Sequence, residues 1–214
     1  MKKHTLQSIV RFLLRTLTDT RYFGLENIPK SGGVILAINH RSYMDTPLLL
    51  VNPVRRDITA LVTTKYKDRK LIGWFIRTAE GIWINRDIAD FSAIRIASKA
   101  LKKGVALGIA PEGTRTKTGG LQKAKPGTVM LAVKADVPIV PVAITGSENV
   151  FRNLFRFRQP RLTVTFGKPI IIPEIEPGNR SKALHEWTEI LMRKIAALLP
   201  KEYRGIYTDV EAVQ

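Results

Sequence analysis

The sequence has no cysteine, which removes disulfides, thiolate nucleophiles and cysteine zinc sites together and fits a reducing compartment. No uncharged apolar run approaches the ~20 residues that a membrane-spanning helix needs. No G-x-x-x-x-G-K-[ST] pattern marks a nucleotide phosphate loop, and no G-x-S-x-G marks a serine nucleophile. Histidines number three, and two of them, His4 and His185, fall in terminal segments without ligand spacing, so no metal site is expected. Acidic residues are scarce as well: 18 Asp and Glu stand against 35 Lys and Arg, a formal net charge of +17. Such an excess describes partners rather than fold, and it points to something anionic: a phosphate-bearing small molecule, an acidic carrier protein, nucleic acid or an anionic bilayer surface.

What is present reads as one α/β domain. Apolar, β-branched runs predict strands at 34–39, 58–63, 81–85, 105–110, 139–144 and 162–166, and helical patterns fall between them at 46–51, 69–78, 91–102 and 128–135. The alternation predicts a central, largely parallel or mixed sheet flanked by helices, spanning residues 21–214. A last helix carries Leu184, Trp187, Leu191, Ile195 and Leu198 as a core stripe. Residues 1–20 form a basic amphipathic segment, with Leu6, Ile9, Val10, Leu13, Leu14 and Leu17 at helical spacing and Lys2, Lys3, Arg11 and Arg15 elsewhere on the turn. Arg11 interrupts the apolar stretch, which argues against a secretory signal and leaves an organellar presequence open. Packing on the domain and lying in a bilayer interface give the same pattern; the expectation is the interfacial one, with Leu6, Ile9, Val10, Leu13 and Leu17 in the acyl region.

The stretch "NHRSYMD" places His40 and Asp45 where a buried strand gives way to a helix, with Asp45 read as the helix N-cap and Pro47 in its first turn. In open α/β sheets ligands bind beyond the carboxyl ends of strands. In one continuous helix the two side chains would stand roughly 140° apart, so they meet only if the turn folds them together. A neutral histidine oriented by a carboxylate is a general base, and with no enzyme nucleophile in view it would activate a hydroxyl of the substrate. Two more strand ends supply polar groups: "GIWIN" runs out at Arg86, and "GVALGIA" at Pro111-Glu112-Gly113-Thr114-Arg115. Two arginine forks at neighbouring strand ends suit a phosphate.

"NHRSYMD", "GIWINR", "APEGTR" and "VPIVPVAI", in that order, resemble the four blocks of the glycerolipid acyltransferase family with the NHx4D motif, and within it the bacterial 1-acylglycerol-3-phosphate acyltransferases. The resemblance runs from about Tyr22 to Tyr203. It implies that His40 is the base and Asp45 its orienting carboxylate, that Arg86, Glu112, Gly113, Thr114 and Arg115 surround the acceptor's glycerol phosphate, and that Pro138 and Pro141 shape the acyl site. It further implies acyl transfer from an acyl-carrier-protein or coenzyme A thioester to lysophosphatidic acid, giving phosphatidic acid, with no metal or cofactor. The expected place is the cytoplasmic face of the cell membrane, held peripherally. Backbone N–H groups of the turn after His40 are the expected stabilisers of the oxyanion. Asn85 and Ala110 depart from the blocks, which commonly have an acidic and an aromatic residue there.

Two alternatives stay open. Another phosphate-bearing acceptor, such as glycerol phosphate, a different lysophospholipid or a lipid A precursor, would suit the arginines equally. The basic, aromatic stretches "KYKDRKLIGWFIR" and "FRNLFRFR" would suit a nucleic-acid-binding module as well as a membrane surface, but that module leaves His40, Asp45, Glu112 and Arg115 unexplained, so no nucleic acid is expected.

Overall fold

A computed structural model describes residues 1–88, 90–116 and 118–211; the last three residues of the expected domain lie outside these. Five residues of uninterrupted apolar character, Val34–Ile38, form β2, and its pleat sorts them to two sides. Val34, Leu36 and Ile38 join one core cluster, while Ile35 and Ala37 join the other. Both faces of this strand are therefore covered, which is why it reads as continuous rather than alternating.

Around β2 the other strands, β1 (Asp19–Phe23), β3 (Ile58–Thr63), β4 (Ile82–Ile84), β5 (Ala106–Ile109), β6 (Ile139–Thr145) and β7 (Arg161–Phe166), complete one sheet in the order β1-β7-β6-β2-β5-β3-β4. Every neighbouring pair is parallel except β6 with β7. On one face lie α1 (Lys3–Leu17), α2 (Asp45–Leu50) and α6 (Val150–Phe155), contributing Leu6, Leu14, Leu48 and Val150 to the core. Leu101, Leu131 and Leu191 come from α4 (Phe91–Lys102), α5 (Gly127–Ala135) and α7 (Arg180–Ala197) on the other. Between β3 and β4 runs α3 (Lys70–Thr78). The expected strands and helices are all present with ends shifted by a residue or two, and the last-helix stripe packs in the second cluster as read.

Three features differ from the expectation. Residues 19–23 form an edge strand paired with β7, so the boundary expected at residue 20 falls inside β1. Helix α1 packs on the domain: Leu6 and Leu14 are buried, and Gln7 donates to the carbonyls of Leu50 (3.1 Å) and Arg56 (2.9 Å). Leu6 and Val10 thus belong to the core side of the helix, while Ile9, Phe12, Leu13 and Leu17 remain exposed. The basic, aromatic stretch at 151–158, for which no helix is expected among the core elements, overlaps α6, anchored by buried Val150.

Candidate active site

Strand order brings the site together. The turns after β2, β4, β5 and β6 all leave the sheet at the carboxyl edge of its parallel strands, and β2 lies between β5 and β6. Asn39, buried at the end of β2, donates to the Ile144 carbonyl (2.9 Å) and accepts from the Ile144 N–H (2.7 Å), which locks that end onto β6. His40 follows at once.

The turn does fold His40 and Asp45 together: Nδ1 of His40 lies 2.9 Å from Oδ2 of Asp45. Asp45 is not an N-cap. It is the first residue of α2, and its carboxylate reaches back to accept the N–H groups of Arg41 and Ser42, both at 2.8 Å on Oδ2. Ser147, at the turn after β6, donates its hydroxyl to Oδ1 at 2.6 Å. Asp45 and Ser147 are both buried, whereas the His40 side chain is 17% exposed. A carboxylate that receives donors on both oxygens is an acceptor throughout, so the histidine proton sits on Nδ1 and the lone pair on Nε2. Ser147 is absent from the sequence reading: it lies 102 residues from Asp45, and a serine in "TGSEN" reads as an ordinary turn. The expected oxyanion donors are corrected by the same geometry, because the N–H groups of Arg41 and Ser42 are committed to Asp45.

Glu112 is buried, and its carboxylate accepts the His40 N–H (3.0 Å) and the Gln122 N–H (2.9 Å), so it braces the backbone of the His40 turn while also standing, with Arg86, Gly113 and Thr114, in the wall of an open cavity of about 680 Å³. Burial pushes its carboxyl up from 4.5 to about 7, against the lowering effect of the two N–H bonds. Between these values the folded protein keeps a proton that the unfolded chain has released. The stability from this group is therefore full below pH 4.5 and lost as pH rises through about 7, on the order of 3 kcal/mol at ~1.36 kcal/mol per unit. Denaturant melts at several pH values should show the wild type losing stability across this window relative to Glu112→Gln; parallel pH profiles would contradict it.

Arg86 and Arg115 do flank His40. Gly113 takes a left-handed conformation (φ 73°), and its carbonyl accepts from Nη1 of Arg86. Arg115 donates to the Tyr66 hydroxyl (2.9 Å) and stacks its guanidinium 3.6 Å from the centre of the Tyr43 ring. His40 and Arg86 stand on the boundary of two cavities. An outer cleft of about 340 Å³ has Thr114 and Arg115 among its walls, with Leu71, Ile72 and Phe75 opposite in polarity. An inner, narrower cavity of about 50 Å³ runs between the sheet and α2–α3, lined by Leu49, Ile58, Ala60, Ala79 and Gly108. A Cβ at Gly108 would come within 2.5 Å of Leu49 Cδ2, so glycine sets the width there.

The two prolines do not line either cavity. Pro138 precedes β6, at the opposite end of that strand from Ser147, and its carbonyl accepts from Ile35. Pro141 lies within β6, where its carbonyl accepts from Gly167 as β7 leaves the ladder. Both therefore take part in the sheet's hydrogen bonding, away from the two cavities at His40. Among the described residues, no group of three His, Asp or Glu side chains could hold a metal ion.

A family model described as Acyltransferase matches residues 19–145. The Bacillus subtilis protein named 1-acyl-sn-glycerol-3-phosphate acyltransferase is 25% identical over 189 residues, which is 88% of this chain and 92% of that relative. A protein of the same name from Pseudomonas aeruginosa is 30% identical over 149 residues, covering 66% of this chain and 57% of the relative. Among solved structures, the 1-acyl-sn-glycerophosphate (LPA) acyltransferase PlsC of Thermotoga maritima shares the fold with a TM-score of 0.63 at 26% identity, over 88% of this chain and 77% of that one. With the family model spanning more than half of its length and carrying both His40 and Asp45, the chain belongs to the Acyltransferase family.

Proposed function

We propose that this protein transfers a fatty acyl group from an acyl thioester to the free hydroxyl of lysophosphatidic acid, giving phosphatidic acid for phospholipid biosynthesis. The observation that carries this reading is the placement of His40, its Nδ1 held by a fully engaged Asp45, between an arginine-walled cleft and an apolar cavity. Nε2 takes the proton of the acceptor hydroxyl as its oxygen attacks the thioester carbonyl. The carbon–sulfur bond then breaks, and the same proton passes to the departing thiolate. Arg86, Thr114 and Arg115 hold the acceptor phosphate, while Gly113 gives their turn its shape. The outer cleft, with Leu71, Ile72 and Phe75 in its wall, receives an apolar chain next to His40.

Either acyl-carrier protein or coenzyme A suits the donor site, since both are anionic and the chain carries a net charge of +17. No helix among the described residues is long and apolar enough to cross a membrane. Association is by α1, which rests on the domain through Leu6 and Leu14 and turns Ile9, Phe12, Leu13 and Leu17 outward to the cytoplasmic leaflet.

The acceptor assignment is tested with Arg115→Ala. Loss of a charge-assisted contact worth ~1.5–3 kcal/mol is expected to raise KM for the phosphorylated acceptor by about one to two decades, with KM for the thioester changed far less. Steady-state kinetics with each substrate varied in turn decide it, and an effect confined to the thioester would move Arg115 to the donor side.

A further inference from the structure

We propose that the pocket between α1 and the edge strand β1 binds the phosphate headgroup of an anionic lipid of the bilayer, and that aromatic side chains of α6 and of the turn after it enter the same leaflet beside it. The inference rests on the reading of the substrates as lipids for its choice of a bilayer, but the site is separate from the chemistry. β1 lies three strands from β2, about 14 Å at the usual spacing, and none of the pocket's walls is shared with the cavities at His40.

The pocket, about 550 Å³, has Arg11 and Arg15 on one wall, one helical turn apart, with Thr18, Thr20, Tyr22 and Gln159 among the others. Arg15 makes no side-chain hydrogen bond or ion pair among the described residues, and Arg11 reaches only the Val51 carbonyl at 3.4 Å. The acid that lines it, Asp19, is already held by the fork of Arg21, with both bonds at 3.1 Å. Two guanidinium groups thus face an opening with their hydrogen-bonding capacity largely unused, which suits a phosphate.

Gln159 belongs to the connection that leads into β7, and the Asp19 N–H donates to the Pro160 carbonyl at 2.8 Å, tying that connection to the end of α1. Just before it, Phe151, Phe155 and Phe157 are 58%, 85% and 100% exposed and alternate with exposed Arg152, Arg156 and Arg158. The stretch 150–160 contains no acidic residue. Phe157 has φ 52°, a costly conformation for a bulky residue, fixed by N–H bonds from Phe157 to Leu154 (3.0 Å) and from Arg158 to Asn153 (2.9 Å). The fold thus holds a phenyl ring wholly in solvent at a conformational cost. Phenyl rings among arginines could also stack on bases, but the exposed surface of α1 adds Ile9, Leu13 and Leu17, which are aliphatic and cannot. An interface of apolar side chains and cations matches an anionic leaflet.

Co-sedimentation of the full chain with phosphatidylcholine vesicles, with and without phosphatidylglycerol, tests this. The wild type should favour the anionic vesicles, and Arg11→Gln with Arg15→Gln should weaken that binding about tenfold or more. Phe155→Ser with Phe157→Ser should weaken binding to both vesicle types without lowering the melting temperature. Turnover of a short-chain, monomeric lysophosphatidate should stay at the wild-type level in all these variants. If the double arginine variant melts lower, Arg15→Gln alone carries the test. Partition unchanged by these substitutions would overturn the proposal, as would equal wild-type binding to vesicles with and without phosphatidylglycerol. Binding of single-stranded RNA with no vesicle binding would overturn it too. A wild type without transferase activity but with the expected vesicle behaviour would instead count against the acyl-transfer reading alone.

Discussion

Replacing His40 by alanine is expected to lower acyl transfer by about 10²–10⁴-fold while leaving the protein folded. The loss would follow from removing the proposed base, which stands at the junction of the two cavities. The fold survives because the bonds that shape the turn do not use the imidazole. Arg41 and Ser42 still donate to Asp45, Glu112 still accepts the backbone N–H of residue 40, and Thr116 still donates to its carbonyl at 2.9 Å. Turnover with saturating substrates, beside a melting curve, is the measurement. Wild-type-like turnover in folded His40→Ala would remove the general-base mechanism.

Asp45→Asn is expected to be nearly as damaging, up to ~10⁴-fold in turnover, for a different reason. The amide oxygen would take the Oδ2 position, since three N–H donors point there, and the amide nitrogen would face the Ser147 hydroxyl, which can turn and accept. Geometry is kept, but the negative charge that stabilises the imidazolium is gone. Asp45→Ala should differ, because it strands the Arg41 and Ser42 N–H groups and the Ser147 hydroxyl, and each buried unsatisfied group costs about 1–3 kcal/mol. A large activity loss in the asparagine variant with a marked drop in melting temperature only in the alanine variant is the expected pair. Equal unfolding in both, with activity of the folded fraction unchanged, would make Asp45 a structural residue only.

The core strands and the blocks at their ends were legible because both are local. Val34–Ile38 is apolar throughout since helices cover both its faces, and His40 and Arg86 follow such runs within two residues, Arg115 within six. The edge strand β1 escaped notice because "DTRYF" is short, half-exposed and carries two charges, so it reads as the tail of the preceding amphipathic helix. Residues whose partners are distant in the chain were equally hidden. Ser147 meets Asp45 only because β6 lies beside β2, and Glu112 braces His40 only because β5 lies on its other side. Glutamate in a glycine-containing turn looks like a ligand contact; its bond to the backbone of the His40 turn is a property of the sheet order, which local pattern does not encode.

The central claim is acyl transfer to a phosphate-bearing lysolipid, and purified protein incubated with a labelled acyl thioester and a panel of acceptors tests it most directly. The chain contains no cysteine, so released thiol can be titrated with no background from the protein. The account predicts labelled phosphatidic acid from lysophosphatidic acid, one thiol released per ester formed, and no comparable product from monoacylglycerol or a choline lysolipid. Thiol released without any ester product, or an ester formed equally well on acceptors lacking the phosphate monoester, would contradict it.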